Sequence, residues 1–146
     1  MQKLSLNPCI LKYAVRLTAD EHHAAYRQAA YELLQQNGWS HRITSLEQFT
    51  ALVNASACNF IALKDGQVIG YIRGITDGLS NGYISMLVVA SDYRKQGVGR
   101  DLVQAVINSA PSATWVLRAG REGSANFFEK LGFEISTMAM ERNRKS

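Results

Sequence analysis

Residues Tyr83 to Asn108 read YISMLVVASDYRKQGVGRDLVQAVIN. An unbroken apolar run leads into a basic, glycine-bearing turn, and apolar residues at helical spacing follow. This order predicts a buried strand, a tight turn and a long helix. It constrains the whole chain, because a strand with apolar residues on both faces has to be covered from both sides. It also sets up a local chemistry. Glycines take positive φ and let a ligand approach the backbone. The first turn of the helix leaves N–H groups without intrahelical partners, and Arg94, Lys95 and Arg100 surround them. Such a turn suits an anion. It lacks the G-K-[ST] of a Walker loop and the G-x-G-x-x-G of a dinucleotide fold. Taken alone, it is equally compatible with a plain glycine-rich helix entry.

The flanking sequence supplies the layers this strand needs. Tyr13 to Leu17 has strand character, and Thr18 with Glu21 forms a candidate capping box for a helix from Ala19 to Gln36, stopped by Gly38. Ser45 with Gln48 opens a second, shorter helix whose apolar side carries Leu46, Phe49, Leu52 and Val53. From Asn59 the period becomes two. NFIALKDGQVIGYIRGI is a hairpin around Asp65-Gly66, and turn signals at Asp77-Gly78 and Asn81-Gly82 precede the strand Tyr83 to Val89. The helix after the glycines keeps a polar stripe at Arg100, Gln104 and Asn108 and stops before Pro111. Thr114 to Leu117 is a short buried strand, so strand–helix–strand implies a right-handed parallel crossover. A short helix from Ser124 to Leu131 and a final strand from Phe133 to Met140 complete the order. The expected fold is a mixed α/β (α+β) single domain, 1–146 with a core of about 13–140.

Composition narrows the function classes. With 47% hydrophobic and 19% charged residues among 146, the chain is that of a globular domain. No apolar run reaches the roughly 20 residues of a membrane span, and no signal peptide is evident. Cys9 and Cys58 lack metal-ligand spacing, so no metal is expected and a cytoplasmic location is the default. The net charge of +4 comes partly from the C-terminal ERNRKS and partly from the glycine turn. No basic face is interleaved with stacking aromatics, so no nucleic acid is expected as partner. A homodimer is an allowed assembly.

MLVVASDYRKQGVGRDLV resembles the signature of the GNAT acetyltransferase superfamily, [RQ]-x-x-G-x-[GA] after an apolar strand. FFEKLGF, about thirty residues on, is similar to that family's second motif, usually FYEKLGF, and AVRLTADEH is similar to its first strand and helix. The resemblance spans roughly Tyr13 to Met140. It implies a six- to seven-stranded, mostly antiparallel sheet with about four helices and splayed fourth and fifth strands. It further implies acetyl-CoA as co-substrate and an amine as acceptor. Arg94, Lys95, Gln96, Gly97, Val98, Gly99 and Arg100 would hold the diphosphate. Leu87, Val88 and Val89 would lie along the pantetheine arm, and a bulge would fall near Met86 to Val88.

The sequence also departs from the family. The tyrosine that often protonates the departing thiolate matches Phe128, and an asparagine seven residues earlier matches Arg121. Asn126 is the neighbouring candidate for the lost pantetheine contact. Tyr83, Ser85 and Tyr93 are the candidate replacement donors. The strand YISMLVV offers no carboxylate as base; Asp77 and Asp92 are the nearest acids. Deprotonating a lysine-like amine at pH 7 costs about 4.6 kcal/mol against about 1.4 for an α-amine, which favours a low-pKa acceptor. His22, His23, Tyr26, Tyr31, Glu32 and Trp39 are further candidates around the acceptor, explained equally well as helix core or surface. Without an acid at Phe128, a catalytically weak or inactive CoA-binding sensor is the alternative.

Overall fold

The computed structural model describes residues 14–145, so Cys9 and Tyr13 lie outside the described residues. Five strands form one sheet in the order β1-β2-β3-β4-β5: β1 Ala14–Arg16, β2 Cys58–Lys64, β3 Gln67–Thr76, β4 Asn81–Val89 and β5 Thr114–Leu117. The first four pair antiparallel, and β5 joins β4 in parallel. The helices are α1 Ala24–Gln36, α2 Leu46–Ala55, α3 Val98–Ser109 and α4 Ser124–Glu129. The mixed α/β fold expected from the sequence is thus the one observed.

Local chemistry explains most boundaries. At the β2–β3 turn Asp65 and Gly66 both have positive φ, 51° and 79°, the type I′ geometry whose twist matches the flanking strands. Ser45 caps α2 by accepting from the Gln48 N–H at 3.0 Å, and the Gln48 side chain reaches back to the Thr44 N–H at 2.7 Å. At the end of α4 the Phe133 N–H returns to the Phe128 carbonyl and the Gly132 N–H to that of Glu129, with Gly132 at φ 95°. This is a Schellman stop, and the Phe128 and Phe133 rings pack across it with centroids 5.6 Å apart.

Two cores flank the sheet. Leu17, Leu34, Phe49, Ile61, Tyr71, Met86 and Val88 pack under α1 and α2. Cys58, Ile72, Ile84, Leu102, Val106 and Phe128 pack on the opposite face, under α3 and α4. β4 contributes to both, as its unbroken apolar run requires. Behind the α1/α2 face sits a buried polar hub. Tyr71 donates its hydroxyl to Asn59 Oδ1 at 2.5 Å, and Asn59 Nδ2 donates to the carbonyls of Val53 and Ser56. Burial pushes the Tyr71 phenol far above its ordinary value.

Several boundaries differ from the sequence reading. The capping box of Thr18 with Glu21 does not form. Asp20 caps a 3₁₀ turn at Glu21–His23, and α1 begins only at Ala24. The guanidinium of buried Arg27 donates to the carbonyls of both Thr18 and Asp20, fixing that turn. Asn81 and Gly82 belong to β4 rather than to the turn, and a side chain at Gly82 would collide with the Trp115 ring. β5 is a half-exposed edge strand, not a buried one.

The expected strand from Phe133 to Met140 is absent, leaving five strands among the described residues rather than six or seven. Its apolar positions change parity, from Phe133 and Ile135 to Met138 and Met140, so no single face could be buried. At the change Ser136 Oγ accepts from the N–H groups of Met138 and Ala139, a local turn that competes with a ladder. Ile135, Met138 and Met140 are accordingly exposed.

Candidate active site

The site begins where two strands part. β5 pairs with β4 only as far as Ile84↔Leu117. Residues 86–89 of β4 continue to pair with β3 on their other side. A cleft of about 660 Å³ opens in the gap. Its walls include Ser85 to Val89 on one side and Phe127 and Phe128 on the other. The splay expected of the fourth and fifth strands is therefore present.

A bulge marks the point of divergence. Arg73 pairs with Met86, but its neighbour Gly74 pairs with Ile84, so Ser85 is the extra residue on β4. This lies just before the expected window of Met86 to Val88. An extra residue bends a strand and increases its local twist, which turns β4 away from β5 at that level.

At the other end lies the basic turn. Gly97 is the N-cap of α3, with φ 91° and no side chain capping the helix. The first-turn N–H groups have no intrahelical partner, and Gly97, Gly99 and Arg100 of this turn line the cleft. Gly97 supplies the left-handed conformation that L side chains disfavour. Gly99 serves a different purpose: a Cβ there would meet Phe127 at 3.2 Å, so its absence lets α3 and α4 approach. Lys95 also takes positive φ, at 62°. Arg94 donates through Nε to the Val89 carbonyl at 3.1 Å and through Nη2 to Asn37 Oδ1 at 2.6 Å. The segment Asn37–Trp39, which follows α1, is thereby tied across the cleft. Arg121 ties it a second time, donating to the Asn37 carbonyl and lying 5.4 Å over the Trp39 ring. Trp39 lines the cleft, and its buried Nε1–H has no partner among the described residues.

Of the residues singled out from sequence, Ser85, Leu87, Val88, Val89, Arg94, Lys95, Gly97, Gly99, Arg100 and Phe128 line this one cleft, as do Tyr93, Trp39 and Arg121. Four of the residues expected to act in catalysis or to hold the cofactor do not. Tyr83 lies where β4 still pairs with β5, opposite Val116. Val98 is buried in the α3 core, Gln96 donates its side chain to the Asp92 carbonyl, and Asn126 is exposed on α4. Phe128 is 8% exposed and held between Phe127 and Phe133. Tyr26 and Tyr31 pack against the α1/α2 core, and His22 pairs with Asp20 at 2.7 Å. Cys58 is a core residue with its thiol 2.9 Å from Ser109 Oγ. The acids named from sequence are also placed elsewhere. Asp77 accepts from the N–H groups of Leu79 and Ser80 and from the Ser80 hydroxyl, which holds its carboxyl well below the usual range. Among the described residues the cleft lining carries a single carboxylate, Glu122, against Arg94, Lys95, Arg100, Arg118 and Arg121.

Sequence reasoning missed Arg118, Glu122 and Phe127 in the lining, and Arg73, which is not part of the lining but bonds Ser85 from behind. Arg73 left a readable signal. It shares the face of Tyr71 in a central strand, a position where charge is rare.

The sequence comparisons agree with this geometry. Residues 14–133 match the Acetyltransferase (GNAT) family. The chain belongs to that family. It is 26% identical over 121 residues to the uncharacterised N-acetyltransferase YafP of Escherichia coli K12, covering 83% of this chain and 68% of that protein. Among solved structures, a GNAT-family acetyltransferase from Streptococcus pneumoniae TIGR4 superposes with a TM-score of 0.67 at 26% identity, over 81% of this chain and 91% of the other. An aminoglycoside 6'-N-acetyltransferase complexed with coenzyme A superposes with a TM-score of 0.71 at 20% identity, covering 84% of this chain and 85% of that one. At that identity the likeness concerns the fold. No group of three or more potential metal ligands occurs among the described residues, and no described helix is long and apolar enough to cross a membrane.

Proposed function

We propose that the protein transfers the acetyl group of acetyl-CoA directly to a primary amine. One observation carries the reading: the unpaired stretch of β4 and the uncapped N-terminus of α3 open into the same cleft. An extended ligand with amide groups could pair along residues 87–89 as a strand would. A diphosphate at its far end would meet the N–H groups of the helix, with Arg94, Lys95 and Arg100 around it. The thioester would then fall near Ser85.

In this reading the amine nitrogen attacks the thioester carbonyl, the C–S bond breaks, and the proton lost by the amine ends on the thiolate. Backbone N–H groups at the bulge polarise the carbonyl. Phe128 has no proton to give. The Ser85 hydroxyl accepts from Arg73 Nη1 at 2.9 Å, leaving its own hydrogen to bond the leaving sulfur. The positive charge behind Ser85 strengthens that donation. Among the described residues no carboxylate is placed as base near the bulge, which favours acceptors that lose a proton cheaply.

The buried, aromatic-packed Phe128 favours one second reading, a CoA-binding sensor without turnover. Thiol release from acetyl-CoA across amino acids, peptide N-termini, polyamines and aminoglycosides separates the two. Turnover on at least one class is expected, with α-amines preferred over ε-amines of the same compound. Tight CoA binding with no thiol release on any amine would establish the sensor instead.

A further inference from the structure

We infer that the acceptor amine carries a carboxylate and that Arg73 binds it. The inference takes from the transferase reading only where the acceptor lies. Arg73 sits on β3 opposite the bulge, half-buried between α2 and β4. Its Nε donates to Ser56 Oγ at 2.8 Å and its Nη1 to Ser85 Oγ at 2.9 Å. Ser56 Oγ in turn donates to the Leu52 carbonyl at 2.6 Å, so that hydroxyl is fixed as an acceptor. Two hydroxyls orient the guanidinium, and neither neutralises it. No carboxylate forms an ion pair with it among the described residues, and its Nη2 makes no hydrogen bond there. Desolvation disfavours its charged form. The C-terminal end of α2 is nearby, but it offers only about half an elementary charge.

A rigid, partly desolvated and uncompensated guanidinium is a costly thing to keep in a core-facing position. It becomes favourable when an anion arrives. A guanidinium matches a carboxylate in shape and charge, two oxygens to two N–H donors. Arg73 lies one hydrogen bond behind Ser85, so the amine and the carboxylate of one acceptor need only a short spacer between them. The remaining charges point the same way. Ile84, Met86 and Leu117, beside Ser85 on β4 and at the end of its pairing with β5, are uncharged lining, and Glu122 is the cleft's single acid among the described residues. Among the lining cations Arg118 is already paired with Glu141; a polycation such as an aminoglycoside would still meet Arg121, and Arg73 behind Ser85, with no carboxylate paired to either among the described residues. Free amino acids and peptides with an acidic first residue both supply the required pair of groups.

Calorimetric titration of the CoA-loaded protein tests this with two matched pairs: phenylalanine against phenethylamine, and a peptide beginning with Glu against the same peptide beginning with Gln. In at least one pair the carboxylate-bearing member binds about tenfold or more tightly, and the pair identifies the source. Arg73→Gln brings that ratio to within about twofold, while Arg73→Lys, which keeps the charge without the fork, retains part of it. Equal affinities within both pairs, or a ratio unchanged in Arg73→Gln, overturn the inference. Thiol release on the same compounds is read separately. A carboxylate preference in binding without thiol release defeats the transferase reading and leaves this site standing. Thiol release at equal rates within each pair defeats the site and leaves the transferase.

Discussion

The two ends of the cleft are built differently. The α3 end is made of one continuous segment, residues 94–100, and its chemistry is mainly backbone: N–H groups, positive φ and a helix terminus, with cations around them. The Ser85 end is made of side chains from separate segments. Arg73 comes from β3, Ser85 from β4, Leu117 from β5 and, behind Arg73, Ser56 from the end of α2. A backbone site tolerates variation in most side chains but not in its glycines. A side-chain site can be retuned one residue at a time. The first suits a ligand common to many proteins, and the second suits a ligand that differs among them.

This contrast can be broken most forcefully at Gly97. Gly97→Val places a β-branched residue at φ 91°. Such a residue in the left-handed region costs about 1–2 kcal/mol, before any loss of N–H alignment at the helix terminus. CoA affinity measured by calorimetry should therefore fall by about 30-fold, with acceptor preference unchanged. A change of preference instead would mean the two ends are not separable.

Ser85→Ala probes the opposite end and should have a smaller effect. Turnover is expected to drop by about tenfold, the scale of one charge-assisted hydrogen bond of 1.5–3 kcal/mol that is only partly replaced by water. CoA affinity should stay within about twofold, because the helix terminus is untouched. Steady-state kinetics with a parallel binding measurement checks both.

The smallest effect concerns the turns at the edges of this scaffold. Asp20 and Asp77 have carboxyl groups held below their ordinary values, chiefly by hydrogen bonds from His22 and from Ser80 and Leu79. Their contribution to stability is present above about pH 4, the unfolded value, and is lost as pH falls through the depressed folded values. Both groups are exposed, so the effect is modest and screened by salt. Melting temperature followed from pH 6 down to about 3 should decline less steeply in Asp77→Asn than in the parent protein.

The same contrast explains what could be read from the sequence. The α3 end was legible because its determinants are adjacent: the apolar strand, Arg94, Gly97 and Gly99 fall within one stretch. The hairpin at Asp65-Gly66 and the cap at Ser45 were legible for the same reason. The register of the bulge was not, since nothing in YISMLVV marks Ser85 as the residue left unpaired. Nor was the encounter of Arg121 with Trp39, which depends on two loops meeting across the cleft. The final strand was misread because Phe133 to Met140 has strand-like composition, while its parity change and the turn at Ser136 act against pairing. Arg73 shows that a charge at a core-facing strand position deserves a functional question even before its partners are known.

The central claim is that the parted strand and the α3 terminus receive one ligand together. Backbone amide NMR of the protein titrated with CoA tests it most directly. The prediction is that resonances of residues 85–89 and 97–100 shift as one set, with a single saturation curve, while those of the exposed segment 134–145 do not. Shifts confined to the glycine turn would contradict the claim, since they would describe an anion at a helix terminus and no ligand along β4.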